Sequence, residues 1–457
     1  MIQLNGYIIF LLIFAAYSIL VAVLDKKEIL KKYNISAYGP ILMVRTQMGQ
    51  GLLESLSKTK RFWRAYANIG IPLMVICMVL MLFLLLFQAY IVVSKYVNNR
   101  EMLPPELTNP RNMLLLPGVN PMLPWSWTVW IIIGMIVAII VHEFSHGILC
   151  KVEGIKVKSM GALFALIPIG AFAEPDETQL FGPKEGDESF EGQTANSTQR
   201  TRILAAGVMS NFVIAAIAFI LFFGLISTSI APAAEGVPIG DVMDDFPAKG
   251  AGIKAGMIIT GMDGVQIKNA HDFLVFINKT RPGQIIEVEV NSGEVFELNL
   301  TSDPHNLTTT GYLGIYSEPR GTIEYFTFLK DLPKSVKGWL IIWGLPIIIG
   351  FGGFDGSLIP FYKPVGPFAF MGNGIFWIAN SLLWIGFINL VIATFNSLPA
   401  IPLDGGHVFR EILNSFIGKI VKDGKKRAKV SEAVINSMAL TILFLILFPF
   451  IFSFLMR

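Results

Sequence analysis

Charge is scarce in this sequence. Asp, Glu, Lys and Arg together make up 15% of the 457 residues, whereas a typical soluble chain carries roughly 25%. Hydrophobic residues account for 53%, and the mean hydropathy is +0.60. This balance excludes an ordinary soluble globular domain and predicts a membrane protein. The formal net charge of +3 is too small to predict a nucleic-acid partner.

Cysteine is almost absent as well. The two cysteines, Cys77 and Cys150, both lie in apolar stretches. They provide neither a disulfide framework nor a cysteine-based metal motif, so we expect both to be small buried hydrophobic residues. We also expect no cleavable signal, because the apolar run 7–24 is too long for a signal peptide and no small-residue cleavage site follows it.

Long apolar runs are what the sequence has in abundance. An uninterrupted run of ~18 or more residues can cross a bilayer as a helix. A shorter run at 337–353 is broken by Gly and Pro, which predicts an interfacial or re-entrant segment. The fold class that follows is an all-α multi-pass membrane protein of about six transmembrane helices. The predicted helices are 7–24, 70–94, 127–150, 203–229, 374–397 and 433–455.

Basic residues concentrate in two loops, 25–68 and 405–432. The positive-inside rule places both loops in the cytoplasm. Six crossings are consistent with that placement, and they put residues 230–372 and both termini outside. We therefore predict a multi-pass protein of the cell membrane.

The texture of the sequence changes between the fourth and fifth predicted helices. Residues 231–303 alternate strand-like runs, such as 285–290 and 295–300, with Gly-rich turns. Residues 271–279 predict a short helix. The stretch therefore predicts a small soluble α+β domain of about 75 residues, which is within the usual size for an independent domain.

The third predicted helix carries the chemistry. Residues 142–146 are His-Glu-Phe-Ser-His, an H-E-x-x-H motif. Positions i and i+4 share one helix face, so His142 and His146 can reach one Zn²⁺, and Glu143 can act as general base. Ionisable groups are costly inside a membrane helix and usually functional there, which favours a metal site over a structural pair of histidines. We predict that the metal lies within the bilayer, nearer its cytoplasmic face.

A catalytic zinc needs a third protein ligand, and the end of the fifth predicted helix offers one. Two prolines break that helix, and Asp404 follows beside two glycines. Taken alone, Asp404 would be a helix cap for a helix beginning near Val408. Beside an H-E-x-x-H that lacks a ligand, we predict that Asp404 binds the metal. His407 is the rival, and we expect it to lie behind the ligands or at the interface.

The two motifs together, H-E-x-x-H at 142–146 and N-x-x-P-x-x-P-L-D-G-G at 396–406, resemble the site-2 protease family of intramembrane zinc metalloproteases. The resemblance covers residues 127–412. It implies that His142, His146 and Asp404 bind zinc and that Glu143 is the catalytic base. It also implies that Asn396 helps to hold the substrate or the oxyanion.

Three further segments are similar to parts of that family. Residues 207–211, Gly-Val-Met-Ser-Asn, resemble its G-x-x-x-N helix contact. Residues 160–175 are similar to its membrane-dipping β-hairpin, which offers an edge strand to the substrate. Residues 231–303 resemble an inserted PDZ domain, with a carboxylate-binding loop expected at 236–242. Such a domain either binds an extended peptide by strand addition or acts only sterically, and Pro238 removes one N–H from the expected loop.

These observations predict hydrolysis of peptide bonds in or beside transmembrane segments, as in regulated intramembrane proteolysis. The partners would be transmembrane protein substrates and the lipid bilayer, and a peptide ligand of the PDZ-like domain stays open. Two other functions are a transporter or channel that uses intramembrane His and Asp, and a catalytically silent binding protein. Neither is favoured, because no repeat symmetry is seen and every expected ligand is present.

The predicted organisation has five parts. A two-helix extension precedes two halves of a membrane catalytic core, and the PDZ-like domain and a linker separate those halves. In chain order the extension, first half, PDZ-like domain, linker and second half are residues 1–125, 126–230, 231–303, 304–372 and 373–457.

Overall fold

The computed structural model describes residues 6–46, 49–99, 120, 123–182, 193–304, 309–317 and 321–456. The chain divides into a first unit, Met1–Ala216 with Ile385–Arg457, and a second unit, Ile217–Trp384. The helices are α1 (Gly6–Lys26), α2 (Gln50–Ser57), α3 (Lys60–Asn99), α4 (Thr128–Glu153), α5 (Glu177–Phe181), α6 (Ser197–Ser229), α7 (Pro247–Ala251), α8 (Ala270–Ile277), α9 (Thr322–Asp331), α10 (Val336–Trp343), α11 (Leu345–Ile348), α12 (Gly374–Asn396), α13 (Asp404–Ile420) and α14 (Gly424–Leu455). The strands are β1 (Ile35–Tyr38), β2 (Ile41–Thr46), β3 (Val157–Ala165), β4 (Ile167–Pro175), β5 (Ile230–Pro232), β6 (Val237–Val242), β7 (Ile258–Met262), β8 (Val265–Gln266), β9 (Ile285–Val290), β10 (Val295–Asn299), β11 (Ile315–Ser317) and β12 (Tyr362–Pro364).

Five helices in the described part of the chain are long and apolar enough to cross a membrane, namely α3, α4, α6, α12 and α14. They coincide with five of the six predicted segments, which confirms a mainly helical membrane protein. The remaining predicted segment, 7–24, falls within α1, a helix of 21 residues. The count of six crossings therefore stays a prediction. The short apolar run 337–353 holds only α10 and α11, of eight and four residues, neither of which is long enough to cross.

The helix that carries the H-E-x-x-H motif has a sharp end. Gly154 follows α4 in the left-handed conformation, with φ of +84°, and its N–H turns back to the carbonyl of Lys151. Glycine tolerates this conformation and satisfies helix-end carbonyls, so it ends the helix at Glu153. The motif at 142–146 therefore lies about two turns before the end of α4.

The first unit contains a four-stranded antiparallel sheet of order β1-β2-β3-β4, in which β1 and β2 precede α4 in the chain and β3 and β4 follow it. Strands β3 and β4 form the predicted hairpin at 160–175, with Met160 opposite Ala173. Strands β1 and β2 come from the predicted cytoplasmic loop 25–68, where no strand was expected. Both strands are short, and every residue of β2 is half-buried. A strand without one buried and one exposed face has no alternation of polar and apolar residues from which it could be predicted. β2 pairs with β3, and β4 is the last strand of the described sheet.

The N-terminal extension packs on α4, the helix that carries the H-E-x-x-H motif. Leu53 of α2 and Ala67 of α3 are fully buried in one cluster with Leu149 and Cys150 of α4. A Cβ at Gly147 would lie 3.2 Å from the end of the Leu53 side chain, so α2 packs closely on α4 at this glycine. Burial of such side chains is the main stabilising contribution to this contact. Cys77 and Cys150 are both free and buried, as expected.

The second unit contains a sheet of order β10-β9-β7-β6-β11, with β8 paired to β7. Alternate side chains of β9 are buried, and they pack with α8 and neighbouring strands around a core that includes Ile286, Val288 and Leu298. Strands β9 and β10 confirm the two predicted runs. Strand β11 also joins this sheet, although it follows residue 303, where the predicted domain ends. The sequence did not predict this strand, because three residues are too few to show a periodic pattern.

The expected carboxylate-binding loop at 236–242 is not a loop. All of these residues except Gly236 form β6 (Val237–Val242), which lies between β7 and β11 in the described sheet. Gly236, just before the strand, has a φ of +146°, and a Cβ there would lie 2.1 Å from the carbonyl oxygen of Ile259. The glycine that suggested a ligand loop instead permits close approach of two strands.

Candidate metal centre

His142 and His146 project from the same face of α4 toward one point. Their ring centroids are 4.7 Å apart, and their two Nε2 atoms are 3.1 Å apart. The i and i+4 spacing of the helix produces this convergence. His142 is buried, and the side chain of His146 is only 14% exposed.

Asp404 completes the cluster from a distant part of the sequence. Its Oδ2 lies 3.0 Å from Nε2 of His142 and 3.3 Å from Nε2 of His146. Asp404 is the first residue of α13, and Leu403 occupies the N-cap position. The expectation of a helix beginning near Val408 is wrong, because the two glycines after Asp404 do not delay the helix. A Cβ at Gly405 or Gly406 would clash with the backbone of residues 397–401, so these glycines let α13 begin against the proline-rich turn.

Hydrogen bonds to the far side of each imidazole set its tautomer. Nδ1 of His146 lies 2.7 Å from the carbonyl oxygen of Ile203, which can only accept, so Nδ1 carries the proton. Nδ1 of His142 lies 3.3 Å from the side-chain amide of Asn211. The Asn211 Oδ1 is buried without a hydrogen-bond partner among the described residues. Exchanging the amide oxygen and nitrogen lets Oδ1 accept the His142 Nδ1–H. Both Nε2 atoms then present lone pairs to the centre of the cluster.

The donor set fits a zinc ion. Asp404 Oδ2 has no close partner among the described residues other than the two Nε2 atoms. With both imidazole protons on Nδ1, two Nε2 lone pairs and one carboxylate oxygen face each other. Such an arrangement is repulsive unless a cation lies between the atoms. Their separations of 3.0–3.3 Å match the roughly 3.3 Å edge of a tetrahedron with zinc–nitrogen distances near 2.0–2.1 Å. Two imidazoles and one carboxylate are also the ligands of several catalytic zinc sites, which leave a fourth position open.

Glu143 lies beside the cluster and is not part of it. Its Oε2 accepts a hydrogen bond of 3.0 Å from the backbone N–H of Ala173. Ala173 belongs to β4, the last strand of the sheet, so the carboxylate is held at the edge of the predicted hairpin. A carboxylate beside a candidate metal site, and outside its set of ligand atoms, is placed to accept a proton.

The two remaining predicted residues differ in their surroundings. Asn396 is the last residue of α12, half-buried, and it makes no side-chain hydrogen bond to another described residue. His407 stands apart from the three-residue cluster and stacks on Phe181 at 5.5 Å between ring centroids. Burial, with Arg410 nearby, lowers the pKa of His407 and favours a neutral ring.

Two supporting networks around α4 were not predicted. The side chain of Glu153 is only 1% exposed. It accepts two hydrogen bonds from Arg64 of α3 and one from Arg202 of α6. Ser145, inside the motif, donates to Ser210 of α6 at 2.6 Å, and Tyr66 of α3 lies 2.8 Å from the same Ser210 oxygen. The sequence does place charged residues near the ends of these apolar helices, and that pattern could have predicted the ion pairs of Glu153.

Comparison with known proteins agrees with this geometry. Residues 130–445, most of the chain, match peptidase family M50. An uncharacterized protein of Methanocaldococcus jannaschii is 28% identical over 430 residues, which cover 92% of each chain. Metalloprotease MmpA of Caulobacter vibrioides is 26% identical over 60% of this chain and 82% of its own length. Zinc metalloprotease RasP of Oceanobacillus iheyensis is 24% identical over 54% of this chain and 58% of its own length. With the matched region containing the H-E-x-x-H helix and Asp404, the chain belongs to peptidase family M50.

Proposed function

We propose that this membrane metalloprotease cuts its substrates within or beside their transmembrane segments, using zinc held by His142, His146 and Asp404. The observation that carries the proposal is the convergence of three possible ligand atoms, from one buried and two partly buried side chains, within 3.0–3.3 Å of one another. Two of them lie on α4, a candidate membrane span. A transporter or a silent binding protein gives no reason for Glu143 to stand beside such a group.

The proposed chemistry assigns one step to each side chain. Bound zinc supplies Lewis-acid chemistry, which polarises a carbonyl and acidifies water. Glu143 removes the proton of the attacking water and delivers it to the leaving amine nitrogen. The Asn396 amide donates to the carbonyl oxygen as negative charge develops there. Asn211 and the Ile203 carbonyl keep both imidazoles in the tautomer that leaves Nε2 free.

The edge of β4 supports a proposal for how the substrate is held. A transmembrane helix hides its carbonyls in backbone hydrogen bonds, so the scissile segment must become extended before it can be cut. An extended segment can add to the free edge of a sheet. Ala173 lies in the edge strand β4 and contacts Glu143 directly. A segment added there would run beside the proposed base.

The strand content of the second unit supports a PDZ-like domain at about 231–303, extended to include β11. A peptide ligand at 236–242 is not favoured, because β6 has neighbouring strands on both sides. We propose instead that the domain limits substrates by size. The support is connectivity: the domain is inserted between α6, which carries Asn211, and α12, which leads to Asp404.

The proposed location is the cell membrane, with the PDZ-like domain outside and the metal centre toward the cytoplasm. The support is the concentration of Lys and Arg in residues 25–68 and 405–432. The proposed partners are transmembrane protein substrates and lipid.

The function can be tested by co-reconstituting the chain with single-span membrane proteins in liposomes. New product ends should map within or beside the span, and they should disappear with a zinc chelator and return with zinc. Product ends confined to soluble loops would contradict the proposal, even if the protein is an active metalloprotease.

A further inference from the structure

A polar cavity separate from the candidate metal centre lies in the first unit. Its volume is about 750 Å³, and residues of α6, α13 and α14 line it. None of the three metal-binding candidates is among the lining residues. Ile401, from the proline-rich turn that precedes Asp404, forms part of the wall. Five charged side chains and one serine line the cavity together with other residues, namely Arg200, Arg410, Glu411, Arg427, Glu432 and Ser431.

Two of the three guanidinium groups in this cavity, those of Arg410 and Arg427, make no close ion pair with a described acidic residue, although Arg410 attracts Glu411 at longer range. Arg200 is paired with Glu411 through two parallel bonds of 2.7 and 3.0 Å. Burial would raise the pKa of Glu411, but the hydrogen bonds from Arg200 and Ser197 and the positive charges of Arg200 and Arg410 together outweigh it, so the pKa is lowered and Glu411 is ionised. Within the described ranges, no acidic group lies within 4 Å of the charged nitrogens of Arg410 or Arg427. The remaining carboxylate, Glu432, is exposed to solvent.

The wall of the cavity also contains a buried hydroxyl group. Ser431 is only 4% exposed, and its Oγ has no hydrogen-bond partner in the part of the chain that the structure describes. Buried polar atoms in proteins nearly always have a partner. A buried hydroxyl without a described partner, in the wall of a cavity that also holds two guanidiniums without a close described ion pair, indicates a ligand with hydrogen-bond acceptors.

The cavity also lies where two candidate membrane spans begin. Ser197, the first residue of α6, and Gly424, the first residue of α14, are both among the lining residues. Basic pockets at the ends of membrane helices bind the headgroups of anionic lipids. Arginine is the side chain best suited to phosphate, because its planar guanidinium donates two parallel bonds.

We propose that this cavity binds a phosphate group, carried either by an anionic phospholipid or by a soluble phosphate. Arg410 and Arg427 donate to the phosphate oxygens, and the Ser431 hydroxyl donates a third bond. Arg410 belongs to α13, which begins at Asp404, and Arg427 belongs to α14. The bound phosphate therefore links the helix that carries the third metal ligand to the last membrane span.

Binding can be measured without any protease assay. The probes are dioleoylphosphatidylglycerol, dioleoylphosphatidylcholine and inorganic phosphate, each added to the full-length protein purified in detergent. Native mass spectrometry measures lipid retention, and tryptophan fluorescence measures the melting temperature in phosphate. The test variant is Arg410→Gln with Arg427→Gln. The matched control is Lys419→Gln with Lys422→Gln, which removes two positive charges from the same region but outside the cavity.

Retention of phosphatidylglycerol over phosphatidylcholine, weakened at least about tenfold in the arginine variant and unchanged in the lysine variant, would establish a lipid ligand. A melting temperature raised by inorganic phosphate, with the same dependence on the arginines and no lipid preference, would establish a soluble one. Equal loss in both variants would show diffuse surface charge and overturn the site, as would an absence of binding by either probe.

A milder variant covers the case in which the arginine variant does not fold. Ser431→Ala keeps both guanidiniums and removes only the buried hydroxyl. It should weaken binding of the same probe by about threefold to tenfold while the protein remains folded. Unchanged binding in this variant would overturn the assigned donor.

Discussion

Gly207 of α6 lies directly against His146 of α4. A Cβ built at residue 207 would be 2.6 Å from the His146 Nε2 and 2.7 Å from the Cε1 of His142. Any larger residue would therefore enter the space in which the two imidazoles converge. The glycine of the G-x-x-x-N segment allows the helices to approach closely, and four residues later Asn211 reaches His142.

Gly207→Ala should therefore lower zinc content and proteolysis together, by at least about tenfold, because the added methyl group must displace a ligand ring. Gly224→Ala on the same helix is the control, since nothing lies within 4 Å of a Cβ at that position. Zinc can be counted by atomic emission on purified protein. Full zinc in the Gly207 variant would show that the helices can separate without disturbing the site.

Asn211→Leu tests the tautomer argument. Losing the acceptor for the His142 Nδ1–H should weaken zinc binding by about 10–100-fold. Asn211→Asp keeps an acceptor at the same place and should retain more zinc than the leucine variant. Competition with a fluorescent chelator gives the affinities. Stronger binding in Asn211→Leu than in Asn211→Asp would mean that Asn211 is a donor to His142 and that the proposed tautomer is wrong.

Asp404→Ala should reduce both zinc content and activity, because it removes the only carboxylate in the described three-residue cluster. His407→Ala should keep its zinc, because this imidazole stacks on Phe181 away from the cluster. The two variants can be compared in one zinc-content measurement. A fully loaded Asp404 variant beside an empty His407 variant would reverse the assignment.

Replacing residues 237–317 with a short flexible linker tests size exclusion. The deletion extends past 303 because β11 is part of the same sheet. Cleavage of a substrate with a large folded ectodomain should rise, and cleavage of the same substrate already trimmed should change little. Both rates are read from product bands in liposomes. If both rates fall together, the domain recruits substrate or supports the fold.

Sequence patterns predicted five of the candidate membrane spans and the convergence of His142 with His146 because each depends on a local rule, whereas the choice of Asp404 needed the two motifs taken together. Apolar length marks a span, and the i and i+4 spacing places His142 and His146 together. The pairing of β2 with β3 could not be predicted, since it joins segments more than a hundred residues apart with no alternation to mark it. The Arg64–Glu153 contact and the Ser145–Ser210 bond depend on how three helices cross, which no single segment specifies. The expected loop at 236–242 failed because glycine at a strand entry and glycine in a ligand loop look the same in sequence.

The role of Glu143 is tested most directly by Glu143→Gln, measured for zinc and for cleavage in the same preparation. We expect about one zinc per chain, as in the parent, because His142, His146 and Asp404 all remain. We expect a loss of cleavage of at least about a hundredfold, because the amide cannot accept the proton of water. Cleavage near the parental rate by the zinc-loaded variant would contradict the role of Glu143 and, with it, the proposed mechanism.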